Sequence, residues 1–154
     1  MDAGNSEQRP TVQLYKYHEQ RPVYLTVDSS VIMAVLLEEP PKERLIELTH
    51  GADLQAPPSL PWEIGNAFSS LLRRGKVTLS QALSALAAYE EIPIRLAQID
   101  LPSALRLAAG HGIYAYDAYV IECARKYRTP LLSMDREQCQ VAQAESIDVI
   151  EVTS

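Results

Sequence analysis

Val23-Tyr24-Leu25-Thr26-Val27-Asp28 is an apolar run closed by an acid, and Pro130-Leu131-Leu132-Ser133-Met134-Asp135 repeats the arrangement late in the chain. Runs of this length, rich in β-branched and aliphatic residues and bounded by turn formers, are predicted strands. A carboxylate beside a buried element loses favourable hydration unless a cation or hydrogen bonds replace it.

Outward from these two runs the chain alternates strand-like and helix-like segments. Apolar positions at helical spacing predict helices over 31–37 and, past Pro40-Pro41, over 42–50, where Gly51 stops the second. A brief strand is predicted over 53–56. Ser59 is a candidate N-cap with Pro61 at an early helical position, and 62–74 follows as a helix with Ile64, Ala67, Phe68, Leu71 and Leu72 as its core stripe. Further helices are predicted over 79–89, over 102–109 (closed by Gly110-His111-Gly112), over 116–127 and over 136–144. Strands are predicted over 94–99, 130–134 and 148–152. Strands separated by helices imply a parallel sheet covered on both faces, an α/β sandwich.

Chemistry in such sheets gathers beyond the carboxyl ends of the strands, where strand order reverses. Asp28 and Asp135 stand at two such ends, although either can also serve as a helix N-cap. Glu63 shares a helix face with Asn66 and Ser70, a polar stripe that can also be a solvent face. Asp117 lies on the stripe of Val120, Ile121 and Ala124, which is expected to pack on the sheet. A helix start relieves it only partly, through free N–H groups and the positive end of the dipole. One divalent cation with oxygen ligands, shared by Asp28, Glu63 and Asp117, would account for those three placements together.

The length of 154 residues and 47% hydrophobic content favour one domain, expected over 23–154, preceded by a polar arm over 1–22. That arm lacks the apolar stretch of a signal peptide, and no run is long enough to span a membrane, so a cytoplasmic protein is expected. Cys123 and Cys139 have no zinc-site or disulfide spacing and read as small hydrophobes. The net charge of -6 argues against broad electrostatic attachment to nucleic acid. Two local basic clusters remain, Arg73-Arg74-Gly75-Lys76 and Arg125-Lys126-Tyr127-Arg128, which can touch phosphates or simply complement helix C-termini. No glycine-rich phosphate loop is present. A phosphoacceptor receiver domain would need a lysine after a late strand, whereas Lys126 is the last lysine. A haloacid-dehalogenase-like phosphatase would need an Asp where Ser30 stands. His18, His50 and His111 are scattered, and surface or capping roles outweigh a general base.

In order, Val27-Asp28-Ser29-Ser30, Trp62-Glu63-Ile64-Gly65-Asn66-Ala67, Tyr116-Asp117-Ala118-Tyr119 and Leu132-Ser133-Met134-Asp135 resemble the PIN-domain ribonucleases, most closely the VapC-like toxins of toxin-antitoxin pairs. The resemblance spans about 24–152. It implies a three-layer α/β/α sandwich with a central, mostly parallel sheet and metal-assisted hydrolysis of RNA phosphodiesters with Mg²⁺ or Mn²⁺. Asp28, Glu63, Asp117 and Asp135 match the family's catalytic and metal-binding acids, with Asn66 and Ser133 in supporting places. It also implies an RNA substrate, a homodimer, and a cognate antitoxin packed on the first helices, which carry Ile32, Val35, Leu36, Leu37, Leu45, Ile46 and Leu48. The long arm and the acidic charge depart from the family's usual pattern. The competing expectation is a catalytically silent PIN-like module that binds protein or RNA.

Overall fold

The structure, a computed structural model, describes residues 23–152; the expected arm over 1–22 lies outside the described residues. Strand β1 (Val23–Val27) leads into helices α1 (Ser29–Leu36) and α2 (Lys42–Thr49), and β2 (Ala52–Ala56) into α3 (Leu60–Arg73) and α4 (Leu79–Glu90). Strand β3 (Ile94–Leu96) is followed by α5 (Leu101–His111) and α6 (Ala115–Tyr127), then β4 (Leu131–Leu132), α7 (Arg136–Ala144) and β5 (Val149–Ile150). Every pairing is parallel, and the order is β3-β2-β1-β4-β5. The chain leaves β1 toward β2 on one side and later returns to place β4 on the other, so the strand order reverses between β1 and β4.

The period of two along each strand divides the core. Leu25, Val27, Ala56 and Leu132 face Val31, Ile32, Ile64 and Phe68 of α1 and α3, with α4 contributing Ala82. On the opposite face Leu131 and Val149 meet Leu107, Val120, Ile121 and Val141 of α5, α6 and α7. This is the three-layer α/β/α sandwich, with helices on both sheet faces as parallel crossovers require.

The three late strands are shorter than their apolar runs. Ladder pairing over 130–134 is confined to Leu131–Leu132, because Ser133 and Asp135 turn the chain into the cap of α7. The runs over 94–99 and 148–152 likewise shrink to Ile94–Leu96 and Val149–Ile150, both at sheet edges where the ladder has one neighbour. Helix α5 continues through Gly110 and ends at Gly112, whose φ of 65° is the left-handed C-cap conformation that glycine adopts without a Cβ penalty. Ser59 makes no capping hydrogen bond to backbone; its hydroxyl is committed elsewhere.

The α6 face of the sheet also buries polar groups that periodicity did not reveal. Thr26 and Thr129 hydroxyls lie 2.6 Å apart, Gln55 Nε2 donates to Thr26 Oγ1 at 3.0 Å, and Arg95 donates to Gln55 Oε1 at 2.7 Å. Buried Glu122 accepts two hydrogen bonds from Arg125, each 2.7 Å. The second basic cluster is thereby partly consumed in holding the fold, with Lys126 and Tyr127 both donating to the Gln98 carbonyl. Among the first helices Ile32 and Leu45 are core, while Ile46 is exposed.

Candidate active site

Asp28 is the residue after β1 and the N-cap of α1: its Oδ1 accepts the Val31 N–H at 3.3 Å and the Ser30 hydroxyl at 2.6 Å. Both strand-end acids are caps, since Asp135 Oδ1 accepts the Gln138 N–H at 3.2 Å. Capping does not exhaust them. A carboxylate offers about four lone-pair sites, and the partners of Asp28 account for three, the third being Ser133, whose hydroxyl donates to Oδ2 at 2.6 Å.

Parallel pairing of Thr26 with Leu131 and Val27 with Leu132 brings the ends of β1 and β4 side by side. Two serines stitch them together. Ser30 Oγ also accepts the Met134 N–H at 3.0 Å, and Ser133 Oγ accepts the Asp135 N–H at 3.0 Å. The Ser133 proton has a second acceptor in reach, Gln138 Oε1 at 2.9 Å. The shorter bond to an acid is the stronger choice when Asp28 is ionised. Gln138 is itself fixed, its Nε2 donating to the Asp117 carbonyl at 3.3 Å, which ties α7 to the first turn of α6.

Glu63 in the first turn of α3 and Asp117 in the first turn of α6 approach from opposite sides of the sheet. The Ser59 hydroxyl donates to Glu63 Oε2 at 2.9 Å, so the serine expected to cap α3 orients its acid instead. Burial pushes the Asp28 carboxyl above its ordinary range, against the pull of the Ser133, Ser30 and Val31 hydrogen bonds, and Asp135 adds to the rise. Burial raises Glu63 to about 7, opposed by Ser59 and reinforced by Asp28 and Asp117. Asp117 is raised by burial, then by Asp135, Glu137 and Asp28. The four acids therefore feel one another electrostatically. Glu137 joins them as a fifth acid; neither it nor Gln138 was singled out from sequence, and only the place of Glu137 in the first turn after Asp135 hinted at it.

The donor set is all hard oxygen, the type that Mg²⁺ and Mn²⁺ prefer. By donor chemistry the residues fit such an ion. Among the described residues no three acids, histidines or cysteines form a ready-made ligand cage, so the side chains would have to close on an ion. Asn66 is not among these contacts; it lines a shallow cavity with Ser69, Ser70, Arg73 and Arg74. Cys139 lies half-buried near Ser133, its Sγ 3.6 Å from the Ser133 carbonyl, and burial raises its thiol pKa, leaving it a small hydrophobe.

The PIN domain family model matches residues 25–144, and the chain belongs to that family, whose members are nucleases. Solved structures with the same fold include PAE2754 from Pyrobaculum aerophilum, 22% identical with a TM-score of 0.61 over 79% of this chain and 87% of that one. VapBC2 from Rickettsia felis, bound to a DNA fragment from its promoter, is 10% identical with a TM-score of 0.60, covering 83% and 98%. Mycobacterium tuberculosis VapC20, a Sarcin-Ricin loop cleaving toxin, is 14% identical with a TM-score of 0.54, covering 75% and 93%. No curated protein matches the sequence. Among the described residues no helix is long and apolar enough to cross a membrane.

Proposed function

We propose that this chain is a metal-dependent ribonuclease and the toxin of a toxin-antitoxin pair, acting in the cytoplasm. The observation that carries the reading is the electrostatic coupling of Asp28, Glu63, Asp117 and Asp135, which come from four elements far apart in sequence. The likeness to VapBC2 and to a Sarcin-Ricin loop cleaving toxin supports the RNA substrate and the antitoxin partner.

Asp28, Glu63 and Asp117 would hold Mg²⁺ or Mn²⁺, with Asp135 as the outer ligand. The chemistry such an ion supplies when bound is acidification of water and neutralisation of charge developing on a phosphate. The protein's own contribution is placement. Ser30 and Ser133 fix both oxygens of Asp28, and Ser59 fixes one oxygen of Glu63. Glu63, raised to about 7 without a cation, exchanges its proton near neutrality, so ion binding there releases protons and strengthens with pH. A homodimer and an antitoxin segment on α1 and α2 complete the proposal, with half-buried Val35 and Leu48 and exposed Ile46 as the available apolar surface.

The test is incubation of the purified protein with a mixed transcript pool and Mg²⁺ or Mn²⁺, mapping cut ends beside an Asp117→Asn control. Metal-dependent cuts that vanish in the variant support the enzyme. RNA or protein binding without any cut would instead indicate the silent binding module.

A further inference from the structure

Helix α3 carries Glu63 in its first turn and two arginines at its far end, and the face between them is open. Trp62, beside Glu63, is 73% exposed, an unusual position for the chain's single tryptophan. One turn on, Asn66 begins a shallow cavity that continues over Ser69 and Ser70 to Arg73 and Arg74. Residues 62, 66, 69 and 73 follow helical spacing, so aromatic ring, cavity and cations form one stripe.

Among the described residues no acid neutralises the cations at the end of this stripe. Lys42, Arg44 and Arg125 each pair with a glutamate, whereas among the described residues Arg73, Arg74 and nearby Lys76 enter no ion pair. Arg74 Nε donates to the Ser70 carbonyl at 3.4 Å, a helix-end bond that leaves most of its guanidinium donors uncommitted. In a chain of net charge -6, three unpaired cations within four residues are a local reversal of sign. Gly65 lies on the same exposed surface, and a Cβ there would meet nothing within 4 Å. A mid-helix glycine is destabilising relative to alanine, and internal packing does not require this one; without a Cβ it leaves the helix backbone open to close approach from outside.

We propose that this face of α3 is a track for single-stranded RNA leading away from the acids, with a base stacked on Trp62 and backbone phosphates held by Arg73 and Arg74. The inference rests on the ribonuclease reading and names the substrate form it takes. The ten helical rises from Glu63 to Arg73 span about 15 Å, a few nucleotides of an extended strand. Aromatic stacking with a cationic groove is the general recognition mode for unpaired strands.

The experiment measures binding of a labelled, random-sequence single-stranded RNA of roughly 12 nucleotides to the full-length protein in EDTA across a KCl series. The protein is compared with R73Q/R74Q, W62A and, as a distant control, R106Q. Losing two phosphate contacts on a single strand should flatten the slope of log affinity against log salt by about 1.4. W62A should weaken binding roughly 5- to 150-fold at unchanged slope, and R106Q should match the parent. Unchanged slope and affinity in both α3 variants would overturn the proposal. So would a change in oligomeric state by light scattering in those variants, which would make this face a protein interface. Metal-dependent cleavage with no slope change would sink the track and leave the nuclease; a slope change with no cleavage would do the reverse.

Discussion

Replacing Glu63 with Gln should stabilise the metal-free protein at pH 8, because the native carboxylate is then forced to ionise in a half-buried site facing two other acids. In the folded protein this group titrates at about 7 rather than 4.5. Below 4.5 both folded and unfolded chains hold the proton and there is no penalty. As pH rises from 4.5 toward 7 the unfolded chain releases its proton first, so stability falls, and the full penalty stands above 7. At 1.36 kcal/mol per pH unit the ceiling is about 3 kcal/mol; solvent screening at this partly accessible site reduces it to about 1–2 kcal/mol. Gln keeps the shape and an acceptor for the Ser59 hydroxyl. Thermal unfolding in EDTA should therefore show Glu63→Gln melting roughly 2–6 °C above the parent at pH 8, with the gap reduced to about a quarter at pH 5. Mg²⁺ at about 100 times its Kd should raise the parent by about 2.7 kcal/mol at pH 8 and the variant by less. A variant that melts at or below the parent at pH 8 would refute the reasoning.

Asp117→Asn should abolish RNA cleavage while leaving far-UV circular dichroism and the unfolding transition intact; near-normal cleavage would remove Asp117 from the site. Ser133→Ala takes a donor from Asp28 and an acceptor from the Asp135 N–H, so activity should fall about 10- to 100-fold and stability by about 1–3 kcal/mol, read from kinetics and urea unfolding. Gly65→Ala should raise stability by roughly 1 kcal/mol, measured in urea, since its Cβ enters open space. Phe68→Ala should cost about 3–5 kcal/mol, because the ring is buried between α3 and the sheet.

Most of the architecture was legible because the signals were local and agreed with one another. The acid-terminated runs at Asp28 and Asp135, separated by helical periods, implied a parallel sheet with a switch point, and β1 and β4 are indeed neighbours. Strand ends were less legible, since apolar character continues past the last ladder bond at Leu132 and Leu96. Helix α5 ran past Gly110 because the residue needing positive φ is Gly112, which composition alone does not distinguish. For the acids, sequence offered either cap or ligand; in the structure Asp28 and Asp135 are both caps, and the second oxygen of Asp28 is held by Ser133. Glu137 and Gln138 escaped notice because their importance comes from tertiary neighbours on another helix. The same holds for Gln55 and Thr26, whose burial is explained only by their bonds across the sheet to each other and to Thr129.

The most direct test of the central claim is an anomalous-diffraction map of crystals of the protein soaked in Mn²⁺. The account predicts a peak about 2.1 Å from carboxylate oxygens of Asp28 and Asp117, with Glu63 turned toward it and no peak in the Asp117→Asn crystal. Manganese bound only at other surface carboxylates, with the Asp28 and Asp117 side chains unmoved, would contradict it.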